Sequence, residues 1–133
     1  MEEKDKQTSE CSYVYMVMCE DESIYTGITK DVKARMREHY FKTGKGAKYT
    51  RSRQVQRILM VWEAKSYSSA ARLEYAIKRI TRKQKLFLTE NPEVGWKNFF
   101  PKLEGESYVP RREYVLELTE LFRDKIVDKE DAI

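Results

Sequence analysis

Apolar and polar residues divide the chain into short segments of two kinds. Residues 13–19 (YVYMVMC) are rich in tyrosine and valine and read as a strand. Residues 23–29 (SIYTGIT) read as a second, and Glu20, Asp21 and Glu22 between them make a hairpin-length loop. If Cys19 and Ser23 close that loop, Tyr15 faces Gly27 and Val17 faces Tyr25. Both tyrosines then share one face of the sheet, and that face survives any shift of the register by an even number. Gly27, with no side chain, leaves room above it for Tyr15 or for a ligand.

A helix is expected to start at Thr29–Asp31 and run to about Phe41 or Lys42. Its inward stripe is Val32, Arg35, Met36, His39 and Tyr40. Two chargeable residues thus stand in or beside an apolar stripe, whereas Lys33, Arg37 and Glu38 fall outside it. An inward arginine is costly unless an anion meets it or it snorkels along the edge. Residues 43–53 (TGKGAKYTRSR) combine two glycines with a run of Lys and Arg and read as a basic loop. Their glycine spacing is not that of a P-loop. Residues 55–64 read as a buried strand, with Ile58, Met60 and Trp62 expected on one face.

Ser66 to Ser69 supplies a cap for a helix over about 70–80, with Leu73, Ala76, Ile77 and Ile80 inward and Glu74 flanking them. A further helix is expected from 81 or 82 to about 89. Residues 90–107 carry prolines and glycines but also Trp96, Phe99 and Phe100, so they are expected to dock on the domain. Residues 110–127 form an amphipathic helix with Tyr114, Val115, Leu118, Leu121, Phe122 and Ile126 on one side. The expected fold class is α/β, two-layer or α/β/α, with a small, mainly antiparallel three-stranded sheet flanked by helices. The expected organisation is a disordered lead over 1–11, one domain over 12–90 and an extension over 91–133.

Charge sharpens this picture. The net charge is +4, but residues 30–85 hold 17 Lys and Arg against 4 Asp and Glu, and both flanks are acidic. A basic block of this kind fits a polyanionic partner, because clustered cations displace counterions from phosphates. Cys11 and Cys19 are too few for a disulfide framework, and with the single His39 they make no metal-ligand cluster. The charged start, MEEKDKQTSE, is neither a signal peptide nor a membrane segment. A soluble, cytoplasmic protein is expected.

The inward-looking polar residues are Tyr15, Tyr25, Arg35, His39 and Glu74, and in order and spacing they resemble the GIY-YIG nuclease superfamily. The name triplets align with YVY at 13–15 and YTG at 25–27. The helix arginine aligns with Arg35 in KARMREH, and the late helical glutamate with Glu74 in ARLEYAIKRI. Residues 44–51 and 73–85 are most similar to the small single-domain bacterial members, the YhbQ-like group. The resemblance spans about residues 12–88. The first triplet lacks Gly and Ile, and Thr26 stands where the name has Ile, but both tyrosines and Gly27 are kept.

The resemblance implies a divalent-metal-dependent endonuclease acting on DNA with low sequence specificity, in repair or processing. Glu74 would be the protein ligand to Mg²⁺ or Mn²⁺, the ions suited to a lone carboxylate with a water-rich shell. Arg35 would clamp the scissile phosphate through its bidentate fork. Tyr15 and His39 are both candidates for the general base, and Tyr25 would complete the tyrosine pair. Lys45, Lys48, Tyr49 and Arg51 in the basic loop, with Lys78, Arg79 and Arg82, are candidate nucleic-acid contacts. The alternative is a non-catalytic nucleic-acid-binding module on the same scaffold. The C-terminal helix offers a surface for a homodimer.

Overall fold

The structure, a computed structural model, describes residues 11–41, 54–103 and 105–120. Strand β1 (Ser12–Cys19) and strand β2 (Ile24–Thr29) form the expected hairpin, and Tyr15 pairs with Gly27 and Val17 with Tyr25. Its three-residue loop closes through Cys19 N–H to Ser23 O at 2.9 Å and Glu22 N–H to Cys19 O at 2.9 Å. Glu22 takes a left-handed φ of 67°, the conformation that ends a three-residue hairpin loop. Helix α1 (Val32–Phe41) follows, then strand β3 (Val55–Ala64). Helix α2 (Tyr67–Lys78) is capped by Ser66, whose side chain accepts from the Ser69 N–H. It starts three residues before the expected position because Ser66, rather than Ser69, is the cap. Helix α3 (Arg82–Glu90) opens on a complete capping box between Thr81 and Gln84.

The sheet has four antiparallel strands in the order β2-β1-β3-β4, where β4 is Tyr108–Pro110. This corrects the expected three. Three residues are too short for a periodic pattern, and this strand exists because β3 offers it a free edge. Between α3 and β4 run a short helix α4 (Gly95–Phe99) and a 3₁₀ turn (Pro101–Leu103), and a final helix α5 occupies residues 112–120.

Alternation along β1 splits the core into two layers, making the architecture α/β/α. Val14 and Met16 join Met60, Trp62, Leu73, Ile77, Leu88, Trp96 and Phe100 on one face. Tyr15, Val17 and Cys19 join Val32, Met36, Ile58, Val61 and Leu118 on the other. Ile58 is therefore not on the face of Met60 and Trp62, as strict alternation had suggested. The register slips between Met16↔Met60 and Val17↔Ile58, leaving Leu59 unpaired, and such a bulge flips the following residues to the opposite face. The aromatic connector contributes Trp96, Phe100 and Leu103 to the first layer, and Tyr108 Oη donates to Ser69 O at 2.8 Å. In α5, Leu118 is buried and Tyr114 and Val115 pack beside it, so this apolar face covers the chain's own second layer. Leu121, Phe122 and Ile126 lie outside the described residues. No described helix is long and apolar enough to cross a membrane.

Candidate active site

The site begins with the space above Gly27. A Cβ built there would lie 2.4 Å from Tyr15 Oη, so only glycine lets the Tyr15 ring lie across β2. The Tyr15 ring is fully buried and stands 6.1 Å, centroid to centroid, from that of Tyr25. The α1 stripe brings the third ring. His39 is fully buried, 5.5 Å from the Tyr15 ring and 5.3 Å from the Tyr25 ring, edge-on to both. Tyr15 Oη and His39 Nε2 share a hydrogen bond of 2.7 Å. The side chain of Tyr40 lies outside the described residues.

Arg35, one turn before His39, takes the edge position that a snorkelling arginine requires. Its side chain is 26% exposed; Nη1 donates to Ile28 O at 3.2 Å, and Nε meets Glu38 Oε1 at 3.2 Å. The guanidinium thus bridges the end of β2 and its own helix. Burial pushes the Tyr15 phenol above its ordinary range, with Tyr25 adding to the shift, while the neighbouring Arg35 cation pulls it down. Burial prevails, so the phenol keeps its proton and can donate it to Nε2.

Glu74 stands elsewhere. Helix α2 packs on the Val14–Met16 face, whereas Tyr15, Tyr25 and His39 belong to the opposite one. Its side chain is 23% exposed, and the carboxylate pairs with Lys78 at 3.2 Å, one turn on. The two groups flank β2, which is an edge strand, from its two sides. Tyr15, Tyr25, Arg35 and His39 are thus brought together, and Glu74 is held in the layer on the other face of the sheet. Among the described residues, no group of three or more His, Cys, Asp or Glu is placed to hold a metal ion. Glu74 alone, partly open to water, fits an ion that keeps most of its own water shell.

The candidate nucleic-acid contacts fare differently. Lys78 is taken by Glu74. Arg79 lies 5.2 Å from the Tyr75 ring centroid and donates to Tyr75 Oη at 3.1 Å. Arg82 bonds the carbonyl of Glu22, tying α3 to the hairpin loop, and its carboxylate partner is Glu22 at 3.7 Å. Lys45, Lys48, Tyr49 and Arg51 lie outside the described residues. Sequence reasoning passed over Tyr75 and Lys102, which line a cleft beside α2. An outward aromatic on a helix gives no periodic signal, and Lys102 meets it only through the fold.

Residues 11–86 match the family described as the GIY-YIG catalytic domain. The UPF0213 protein BH0048 of Halalkalibacterium halodurans is 45% identical over 73 residues, 55% of this chain and 76% of that protein. The UPF0213 protein SH2523 of Staphylococcus haemolyticus is 46% identical over 80 residues, 59% of this chain and 93% of that one. The solution structure of the Bacillus halodurans protein BH0048 aligns with a TM-score of 0.42 at 39% identity, over 68% of this chain and 94% of that one. With the match extending over more than half of its length, the chain belongs to the GIY-YIG catalytic domain family.

Proposed function

We propose that the protein is a divalent-metal-dependent endonuclease hydrolysing phosphodiester bonds in DNA with low sequence specificity, with repair or processing as its setting. The observation that carries this reading is the Tyr15–His39 hydrogen bond, set under Tyr25 of the edge strand β2 and beside Arg35. Cleaving a phosphodiester requires a deprotonated nucleophile and relief of the charge that builds on the phosphoryl oxygens. Arg35 serves the second need: its fork is one turn from His39 and its head reaches solvent at the end of β2.

Tyr15 and His39 serve the first need as a pair. A phenol held protonated by burial is a poor base by itself, but it becomes a relay when its proton passes to Nε2. Water then gives its proton to the tyrosine oxygen as His39 receives the tyrosine's own. Tyr25 packs on both rings and holds them in register. Glu74 is the residue to hold Mg²⁺ or Mn²⁺, an ion whose bound water is more acidic and whose charge offsets that of the phosphate. The basic residues of the central block supply the sequence-independent part of the affinity.

One observation favours the alternative, a nucleic-acid-binding module without catalysis. Glu74 is paired with Lys78 and lies in the layer on the other face of the sheet from Tyr15 and His39. Incubation with single-stranded, duplex and branched DNA in Mg²⁺, Mn²⁺ or EDTA separates the two. Cleavage is expected with either metal, none in EDTA, and a loss of at least about 10²-fold in Glu74→Ala with binding retained. Tight binding without cleavage under any metal would establish the binding module instead.

A further inference from the structure

The C-terminal segment, which lies beyond the family match, builds a second feature on α2. Phe99, Pro101 and Lys102 face Tyr75, Arg79 and Ile80 across a cleft of about 520 Å³. That volume lies within the roughly 300–1,000 Å³ of small-ligand sites. Its lining is chiefly aromatic and aliphatic with cations at the rim. Tyr75 is 64% exposed, a large aromatic left outside the core. It is nevertheless held in place, because Arg79 stacks on its ring and donates to its hydroxyl. Phe99 is braced from behind by Phe87 at 5.6 Å.

The charges around this cleft are unequal. Arg72, at one end, is bonded to Glu106, which also accepts from Ser69 Oγ at 2.6 Å, so its cation is offset. Arg79 and Lys102 have no carboxylate partner among the described residues, and they leave the rim positive. An aromatic floor with cations at its mouth suits a nucleobase with its flanking phosphates. Position supports the same occupant. Tyr75 follows Glu74 directly, 100° further round the helix, and one turn on Lys78 and Arg79 lie at about 40° and 140° on the same side. A strand leaving Glu74 along this cationic path arrives at the cleft.

We infer that the cleft between α2 and residues 99–103 receives one unpaired base of the DNA strand, stacked on Tyr75, while Arg79 and Lys102 hold the adjoining phosphates. This rests on the nuclease reading of the neighbouring site for its DNA substrate. A paired base has both faces covered by its neighbours, so the cleft selects single-stranded flanks over blunt duplex.

The test is equilibrium binding in EDTA, so that it is independent of cleavage. Fluorescence anisotropy would be followed with a labelled single strand, the same strand carrying abasic positions, and a blunt duplex. Tyr75→Ala is expected to weaken single-strand binding by about 5- to 50-fold and leave duplex binding unchanged. Tyr75→Phe should restore it, and the abasic strand should bind the wild type as weakly as the normal strand binds Tyr75→Ala. Melting curves of the variants check the fold, which an exposed side chain should not disturb. Wild-type affinity in Tyr75→Ala, an equal loss for the duplex, or no binding of the single strand by the wild type would overturn the inference. Cleavage assays on the same proteins keep the two proposals apart: stacking without cleavage removes only the nuclease, and cleavage with an indifferent Tyr75 removes only the cleft.

Discussion

Tyr15 carries more of the site than any other residue, and its chemistry follows from burial. Its side chain is fully buried and its oxygen shares a hydrogen bond with His39 Nε2. Because its folded pKa is raised, the protonated form is favoured by the native state. Below the unfolded phenol value, near ~10, both states are protonated and the contribution is complete. As pH rises past ~10 the unfolded chain ionises first, and stability falls by up to ~1.4 kcal/mol per pH unit for this group. Tyr13, pushed up to about 12 chiefly by burial, adds to the same trend. Urea unfolding from pH 7 to 12 should therefore show a steep alkaline loss that is shallower in Tyr15→Phe. At neutral pH Tyr15→Phe should cost about 1–3 kcal/mol, since it takes from a buried imidazole the hydrogen bond at Nε2. An unchanged alkaline slope would mean that Tyr15 is not the protected phenol.

Strand pairing is what makes that environment available. Tyr15 and Gly27 are opposite each other in β1 and β2, and the missing Cβ is filled by the tyrosine's own tip. Gly27→Ala should push the Tyr15 ring off β2, costing about 1–3 kcal/mol and breaking the bond to His39. The shift in urea midpoint measures the first effect, and the imidazole NMR signals of the single histidine report the second. Helix α1 completes the element-level design. Its stripe of Val32, Met36 and His39 is buried as the 3.6 periodicity expects, while Arg35 sits at the stripe's margin and uses Ile28 O and Glu38 for its donors. The bulge at Leu59 belongs to this scale as well: it turns Ile58 towards Val17 and thickens the layer under the site.

Across the whole molecule, the segment after α3 is part of the core. Trp62, central to β3, donates from Nε1 to Pro92 O at 3.0 Å, and Trp96 packs edge-on to Tyr108 at 4.9 Å. Arg111 reaches back to the Glu63 carboxylate, with Nε at 2.8 Å. Trp96→Ala should cost about 3–5 kcal/mol, a large share of the roughly 5–15 kcal/mol that holds a domain together. A chain ending after Glu90 loses Trp96, Phe100, Leu103, Tyr108 and Leu118 at once. It should show no cooperative thermal transition by circular dichroism, and a sharp transition in that fragment would mean that the sheet and its first helices suffice.

By itself the sequence determined the β1–β2 hairpin, the shared face of Tyr15 and Tyr25 and the inward position of His39. Each depends on neighbours a few residues away, where periodicity and turn length leave little choice. Tertiary structure alone decided which layer each helix joins. Glu74 and His39 both flank apolar stripes, yet one helix packs on the Val14 face and the other on the Tyr15 face. That outcome is set by long-range burial, as are the fourth strand, which needs the free edge of β3, and the cleft, which needs Phe99 and Lys102 brought to Tyr75. Short-range patterns specify faces; only packing specifies what each face meets.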